Sequence, residues 1–135
     1  MSIQYTYNAT ADDSDKTFTV PNGKTWRLDW LHVILVTTAT VGNRQVEVSI
    51  TDASDVMRID FHAGATQAAS LTRHYVFQPG IYRETAFTDN EIQVSIPMNM
   101  ILPAGWKLRV RDTTATAAAA DDMTVSFQVT EHAIN

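Results

Sequence analysis

Polar and apolar residues alternate with a period of two along most of the chain. Seven runs show this alternation, at residues 18–20, 45–50, 57–62, 71–77, 92–96, 106–111 and 123–130. The pattern is typical of strands that have one side on a core and the other in a polar environment, as in antiparallel sheets. The sequence therefore predicts an antiparallel β protein.

Residues 25–38 depart from simple alternation. Trp26, Leu28 and Trp30 alternate with polar residues, which predicts that these three side chains point into the core. The run that follows, residues 31–36, is almost entirely apolar. A strand that is apolar on both sides is covered on both, either by a loop of the same chain or by a partner subunit.

Turn residues separate the predicted strands. Pro-x-Gly at 21–23 and at 103–105, and Pro-Gly at 79–80, suit turns in which proline fixes φ and glycine takes a positive φ. Gly42–Asn43 lies between two apolar runs and predicts a two-residue hairpin. Seven to nine short strands with such turns, and no amphipathic helix, predict a single antiparallel β-sandwich of jelly-roll type. We assign residues 1–135 to this one all-β domain, with an N-terminal arm over about residues 1–16.

Composition narrows the classes of function. The net charge of −5 and the pI near 5.1 disfavour nucleic acid and anionic membrane surfaces as partners. The absence of cysteine excludes disulfides, thiol catalysis and Cys-ligated metals. No run is long and apolar enough for a membrane-spanning helix, and the first residues do not have the pattern of a secretory signal. We therefore expect synthesis in the cytoplasm of the producing cell.

Catalytic and metal-binding patterns are weak. The four histidines, His32, His62, His74 and His132, lack the close spacing of a metal-binding motif, although His62 and His74 could meet across neighbouring strands. No Gly-x-Ser-x-Gly nucleophile motif occurs. The acidic runs at 12–15 and 121–122 are candidate calcium loops, but exposed acidic turns are the simpler interpretation. The sequence predicts no enzyme activity, no cofactor and no metal.

Four segments with turn and strand residues carry a resemblance. They are VPNGKTW at 20–26, VGNRQ at 41–45, YVFQPG at 75–80 and LPAGW at 102–106. With the strands between them, they resemble small β-sandwich structural proteins of tailed bacteriophages. The resemblance implies a non-enzymatic virion protein, above all a capsid decoration (cement) protein that binds the major capsid protein or other virion proteins as an oligomer, with a trimer favoured. It supplies no catalytic residues.

Small or apolar residues at three places are the candidate contacts with a partner subunit or the capsid. They lie in the N-terminal arm, in the doubly apolar strand and in an Ala-rich loop: Tyr5, Tyr7, Leu31, Val33, Leu35, Ala117, Ala118, Ala119 and Ala120. Other classes remain open. A tail or adaptor component, or a carbohydrate- or receptor-binding module, is the alternative, with Trp106, Tyr5, Tyr7 and Tyr82 as aromatic candidates for stacking on sugars. A small lyase or hydrolase on a jelly-roll scaffold is the third.

Overall fold

Ten strands and no helix make up the part of the chain that the structure describes. The computed structural model describes residues 1–8, 12, 14–114, 116, 117 and 119–134, the side chains of residues 6–8 excepted. The strands are β1 (Ser2–Asn8), β2 (Lys16–Thr19), β3 (Lys24–Val36), β4 (Val46–Thr51), β5 (Met57–His62), β6 (Thr72–Gln78), β7 (Glu91–Ser95), β8 (Ile101–Leu102), β9 (Lys107–Asp112) and β10 (Asp122–Ala133). Within these ranges there is accordingly no helix of the length and apolarity that a membrane crossing requires.

The strands form two packed sheets. The first has the order β1-β10-β3-β6-β7, with β8 also paired to β3, and the second has the order β2-β9-β4-β5. All pairings between these strands are antiparallel except that of β6 with β7. The predicted all-β sandwich is confirmed. It has ten strands rather than seven to nine, because β1 lies in the predicted arm and the two-residue β8 is too short to show a period.

The order of the strands is that of a jelly roll. Four antiparallel pairs are nested in the sequence: β1 with β10, β2 with β9, β3 with β6, and β4 with β5. This long double ribbon folds over so that β3 lies beside β10 and β4 beside β9, which produces two four-stranded sheets. Strands β7 and β8 extend the first sheet.

A β-bulge in β3 changes which side chains face the core. The pairing with β10 shifts by one residue at Asp29, so that Gln128 pairs with Trp30 and Val129 with Leu28. The extra residue reverses the alternation, because side chains in a strand have a period of exactly two. Trp26, before the bulge, is buried in the core as predicted, whereas Trp30 lies on the outer side of the sheet and is half-buried, so its predicted place in the core is wrong.

The predicted turns fall into two groups. The Pro-x-Gly turns form, with Lys24 N–H donating to the Pro21 carbonyl at 3.2 Å and Trp106 N–H to that of Pro103 at 3.1 Å. The predicted hairpin at Gly42–Asn43 is wrong, since β3 and β4 belong to different sheets and residues 37–45 cross between them. Gly42 does have a positive φ of 144°, but its conformation serves this crossover.

The segment predicted as an N-terminal arm is partly an edge strand. Residues 2–8 pair in register with residues 124–130 of β10, in the same chain. Ile3 and Tyr5 alternate with polar residues and pack against the core, so the segment has the same two-sided pattern as the other strands. Strand β2 begins at Lys16, where the arm was expected to end.

Candidate functional site

Three of the predicted contact residues are core residues. Leu31, Val33 and Leu35 are 0% exposed in a single chain, because the bulge at Asp29 turns them towards the second sheet. Their side chains are therefore inaccessible to a partner, and the contact assigned to them does not fit this fold. The other side of the same strand remains accessible, with Ile34 half-buried and Val36 42% exposed.

Tyr5 lies at the rim of the core. Its ring stacks on Phe127 at a centroid distance of 5.1 Å and is tilted against Trp26 at 5.5 Å. Burial raises the pKa of Tyr5, and the negative charge of Glu131 raises it further. The side chain is half-buried in its own chain, which leaves only part of it for a partner. The backbone of Tyr7 pairs with Val125 in β10, and its side chain lies outside the described residues.

The Ala-rich loop lies at one end of the sandwich. Ala119 and Ala120 are exposed, Ala117 is half-buried with a positive φ of 52°, and Ala118 lies outside the described residues. The amide N–H groups of Ala120 and Asp121 both donate to the Ala117 carbonyl at 2.9 Å, which closes a tight turn. The exposed alanines of this loop are therefore available for contact.

A buried ion pair fixes that end of the molecule. The Arg44 guanidinium and the Asp121 carboxylate are both fully buried, with Nε donating to Oδ2 at 2.7 Å and Nη2 to Oδ1 at 3.1 Å. Arg44 also donates to the carbonyls of Thr40 and Gly42, at 2.9 and 2.8 Å. The pair thus links the crossover 37–45 to the Ala-rich loop. Sequence patterns did not reveal it, because the two residues are 77 positions apart.

The two acidic runs proposed as calcium loops have other partners. Asp121 is engaged by Arg44, as above. Asp12 accepts hydrogen bonds from Ser14 Oγ at 2.7 Å and from Lys16 Nζ at 3.1 Å, and these bonds hold the pKa of its carboxyl below the usual value. Asp13 lies outside the described residues. Asp15 pairs with Arg109, so three of the four described carboxylates in these runs have protein partners, whereas Asp122 Oδ1 is buried without a hydrogen-bond partner among the described residues.

Among the described residues, the middle of the outer side of the first sheet carries no formally charged side chain, between the Arg27–Asp29 ion pair towards one end and Asp122 at the other. We call this surface the neutral face. Its members project from β10, β3 and β6: Thr124, Ser126, Gln128, Trp30, His32, Ile34, Thr72, His74 and Val76. They alternate with buried core residues of the same strands. Each is half-buried or exposed in the single chain. No second layer of the described chain buries them completely.

Two histidines meet in the middle of the neutral face. His32 Nε2 lies 3.0 Å from His74 Nδ1, and the rings stack at a centroid distance of 5.2 Å. Partial burial lowers the pKa of His32, the nearby His74 lowers it further, and Glu91 opposes both effects. The meeting of His62 with His74, which the sequence left open, does not occur, since β5 and β6 lie in different sheets. His32 finds His74 instead, on neighbouring strands of the first sheet.

The outer side of the second sheet is covered with charged groups. We call this the charged face, and it consists of Glu47, Ser49, Asp60, His62, Lys107, Arg109 and Arg111. Lys107 pairs with Asp55, and Arg109 Nη2 lies 2.6 Å from Asp15 Oδ2. Arg111 Nε donates to Glu47 Oε1 at 2.7 Å. Within the described chain, only Arg111 among these cations forms an ion pair with β4, whose outward side chains Glu47 and Ser49 are buried.

One cluster on the charged face consists of side chains of the types that bind metal ions. His62 lies between two carboxylates, with Nε2 2.7 Å from Glu47 Oε2 and Nδ1 3.2 Å from Asp60 Oδ2. Burial raises the pKa of Asp60, and the negative charge of Glu47 raises it further. The Glu47 side chain is only 2% exposed. Alternation placed all three residues on outward sides, but only the pairing of β4 with β5 could show that they converge.

A groove of about 360 Å³ lies beside the edge of the first sheet. It is lined by polar residues of β7 and of the segment before it: Tyr82, Glu84, Thr88, Asp89, Glu91 and Gln93. Tyr82 is 76% exposed, as the sequence suggested, whereas Trp106 is half-buried against the core. An exposed ring beside hydrogen-bonding groups is a combination that sugar-binding sites use.

Comparisons with known proteins leave the family open. No protein-family model matches the chain, and no curated protein matches it significantly. Among solved structures, the chain is similar to the structure of infectious bursal disease virus, Gx strain, with 10% identity and a TM-score of 0.34. The match covers 99% of this chain and 37% of that one, so the chain spans little more than a third of its length.

Proposed function

We propose that the protein is a non-enzymatic virion structural protein, specifically a decoration (cement) protein that binds the outer shell of a tailed bacteriophage capsid as an oligomer. The observation that carries the proposal is the neutral face, a sheet surface without formal charge left accessible in the single chain. The resemblance of four sequence segments to small phage β-sandwich proteins supplies the biological setting.

The composition of the neutral face suits protein contact. Interface cores are depleted in charged residues and enriched in aromatic ones, and the neutral face has Trp30 among Thr, Ser, Gln and aliphatic side chains. Covering such a surface buries apolar area without stripping water from ionised groups. The face spans three central strands, so a partner could lie flat against it. A second subunit or a capsid protein both satisfy this requirement.

The Ala-rich loop supplies a second contact at the end of the sandwich. Ala119 and Ala120 are exposed, and Val41 on the neighbouring crossover is 91% exposed. The buried Arg44–Asp121 pair holds both loops in place beneath these side chains. Rigid loops lose little conformational entropy on binding, which favours a small contact that is repeated many times on a shell.

Solution mass tests the oligomer. We expect light scattering to give about three times the 15.0 kDa of one chain. Val76→Lys, which places a charge on the neutral face, should shift the mass towards one chain. The matched control, Thr17→Lys on the exposed side of β2, should leave the oligomer intact. A native protein that is a monomer at all concentrations would contradict the oligomeric part of the proposal.

Particle binding tests the location. Antibodies against the protein, used with gold labels in electron microscopy, should decorate capsid shells of the phage that encodes it at many regular positions. Label confined to the tail would instead support a tail or adaptor component. Absence of label from purified particles would overturn the assignment to the virion.

A carbohydrate- or receptor-binding module is the second candidate, and the groove beside Tyr82 favours it. The exposed ring and the oxygen atoms of Glu84, Asp89 and Glu91 could contact the faces and hydroxyl groups of a sugar. Binding on a glycan array that is lost in Tyr82→Ala, with the fold unchanged, would support this function over the leading one.

A further inference from the structure

The charged face contains three ligand groups from two neighbouring strands. Glu47 comes from the central strand β4, and Asp60 and His62 come from the edge strand β5. Their ligand atoms, one imidazole nitrogen and two carboxylate oxygens, all lie within 4.8 Å of one another. This set lies on the opposite side of the molecule from the neutral face and takes no part in the proposed capsid contact.

We propose that Glu47, Asp60 and His62 bind one Zn²⁺ ion per chain, with water as the fourth ligand. An imidazole with two carboxylates suits zinc, whereas calcium and magnesium prefer sites made of oxygen alone. Ligand atoms of a tetrahedral zinc site lie about 3.3 Å apart, and the present spacing is 4.8 Å at most. Glu47 and Asp60 now contact opposite nitrogens of the His62 ring, so side chains must turn until both carboxylates and one ring nitrogen face the same ion.

Arg111 prepares the cluster for a cation. It binds Oε1 of Glu47 at 2.7 Å and leaves Oε2 directed at His62. A group that holds one oxygen of a carboxylate ligand fixes the direction of the other, which is the usual task of the outer contacts of a metal site. Glu47 is therefore orientated before any ion arrives.

Ser49 supplies an independent indication that a ligand is needed. Its residue is fully buried, and its Oγ has no hydrogen-bond partner within the described chain. Ser49 pairs directly with Asp60 across β4 and β5 and lies two residues from Glu47 on the same side of the strand. Buried polar groups in folded proteins are almost always satisfied, and a zinc-bound water in this cluster would provide a partner.

A cavity gives access to the site. It has a volume of about 200 Å³ and opens beside Asp60 and His62, with Arg83 and Ser95 on its other side. The space is sufficient for a hydrated ion to enter and for water to remain in the fourth position. His62 is 38% exposed, so solvent can reach its ring without unfolding of the strand.

Titration of the purified native chain with Zn²⁺ alone, in a calorimeter at pH 7.5, tests the site. We expect one ion per chain and a rise in the melting temperature with zinc. His62→Ala should weaken binding by at least about tenfold. Asp60→Asn should weaken it as well, while the control Asp55→Asn, an exposed carboxylate at the end of the same sheet, should not. Far-UV circular dichroism checks that each variant is folded.

Two results would overturn the proposal. If millimolar zinc produces neither heat nor a change in the ring signals of His62 in NMR spectra, the cluster is a hydrogen-bonded network within the protein and not a metal site. If zinc binds but His74→Ala removes it while His62→Ala does not, the metal site is the pair of histidines on the neutral face. Neither result bears on oligomerisation, which is measured separately.

Discussion

The two sheets present opposite chemistry to their surroundings. The neutral face of the first sheet has no Asp, Glu, Lys or Arg among its nine side chains, whereas five of the seven residues of the charged face are of those types. Both faces consist of outward side chains that alternate with core residues along paired strands. The difference in side chains separates a surface suited to being covered from one suited to water and ions.

The free-energy cost of removing water from charged side chains explains why the two faces suit different surroundings. Covering the charged face would remove water from Lys107, Arg109 and the carboxylates of Asp15 and Asp55, and exposed ion pairs return little of that free energy. Among the nine members of the neutral face there is no Asp, Glu, Lys or Arg to lose its water, and covering them adds the burial of Trp30 and Ile34. Charged groups lie at the ends of the face, in the Arg27–Asp29 ion pair and in Asp122. The sandwich thus has one side for which contact is favourable and one for which it is not.

The largest expected effect is a difference in stability between aspartate substitutions on the two sides of β3. Leu35→Asp places a carboxylate in the core and should cost more than about 4 kcal/mol, enough to unfold the chain. Ile34→Asp, its neighbour on the neutral face, should keep the fold and reduce the oligomer mass. Urea unfolding and light scattering of both variants provide the measurement. A stable, folded Leu35→Asp protein would contradict the placement of the bulge.

A smaller effect is expected within the charged face. Glu47→Ala leaves Arg111 and His62 without the buried carboxylate that each contacts at 2.7 Å, which should cost about 1–3 kcal/mol. Glu91→Ala, an exposed glutamate on β7, is the matched control and should change the free energy of unfolding by less than about 0.5 kcal/mol. Equal effects for both would mean that the charged face contributes no stability through Glu47.

The smallest expected effect is a pH dependence of the neutral face. Burial and His74 hold the pKa of His32 below its value in the unfolded chain, while Glu91 acts against them. The unfolded state therefore binds the proton more readily, so this contribution to stability is complete above about pH 6.5 and declines as the pH falls towards the folded pKa.

His32→Gln should flatten that decline. Urea unfolding at pH 7.5 and pH 5.5 measures it in the native protein and the variant, with His132→Gln in the exposed end of β10 as the control. An unchanged pH dependence in His32→Gln would show that other groups determine it.

Much of the fold could be predicted because it depends on local pattern. Alternation located eight of the ten strands, and the Pro-x-Gly turns formed where expected. The exceptions are local breaks in the pattern. The bulge at Asp29 has no signature in the alternation, so Trp30 was expected in the core. The hairpin at Gly42–Asn43 failed because a turn sequence does not specify which sheet the next strand joins.

The side chains that meet in the candidate sites could not be predicted, because local pattern does not show which strands lie next to each other. Tyr5 and the Ala-rich loop could be named as surface candidates from composition, but Leu31, Val33 and Leu35 needed the structure to show which side of β3 they occupy. The Arg44–Asp121 pair, the meeting of His32 with His74 and the cluster around His62 join residues from distant parts of the chain or separate strands.

By itself the sequence determined that this chain forms strands, where most of them run and that they pack as a sandwich, because side-chain periodicity is set by the backbone of each strand. Only the tertiary structure decided how those strands nest as a jelly roll, which outer side is neutral and which is charged, and which residues meet there. Those properties depend on register between strands far apart in sequence, where a shift of one residue turns every side chain to the opposite face.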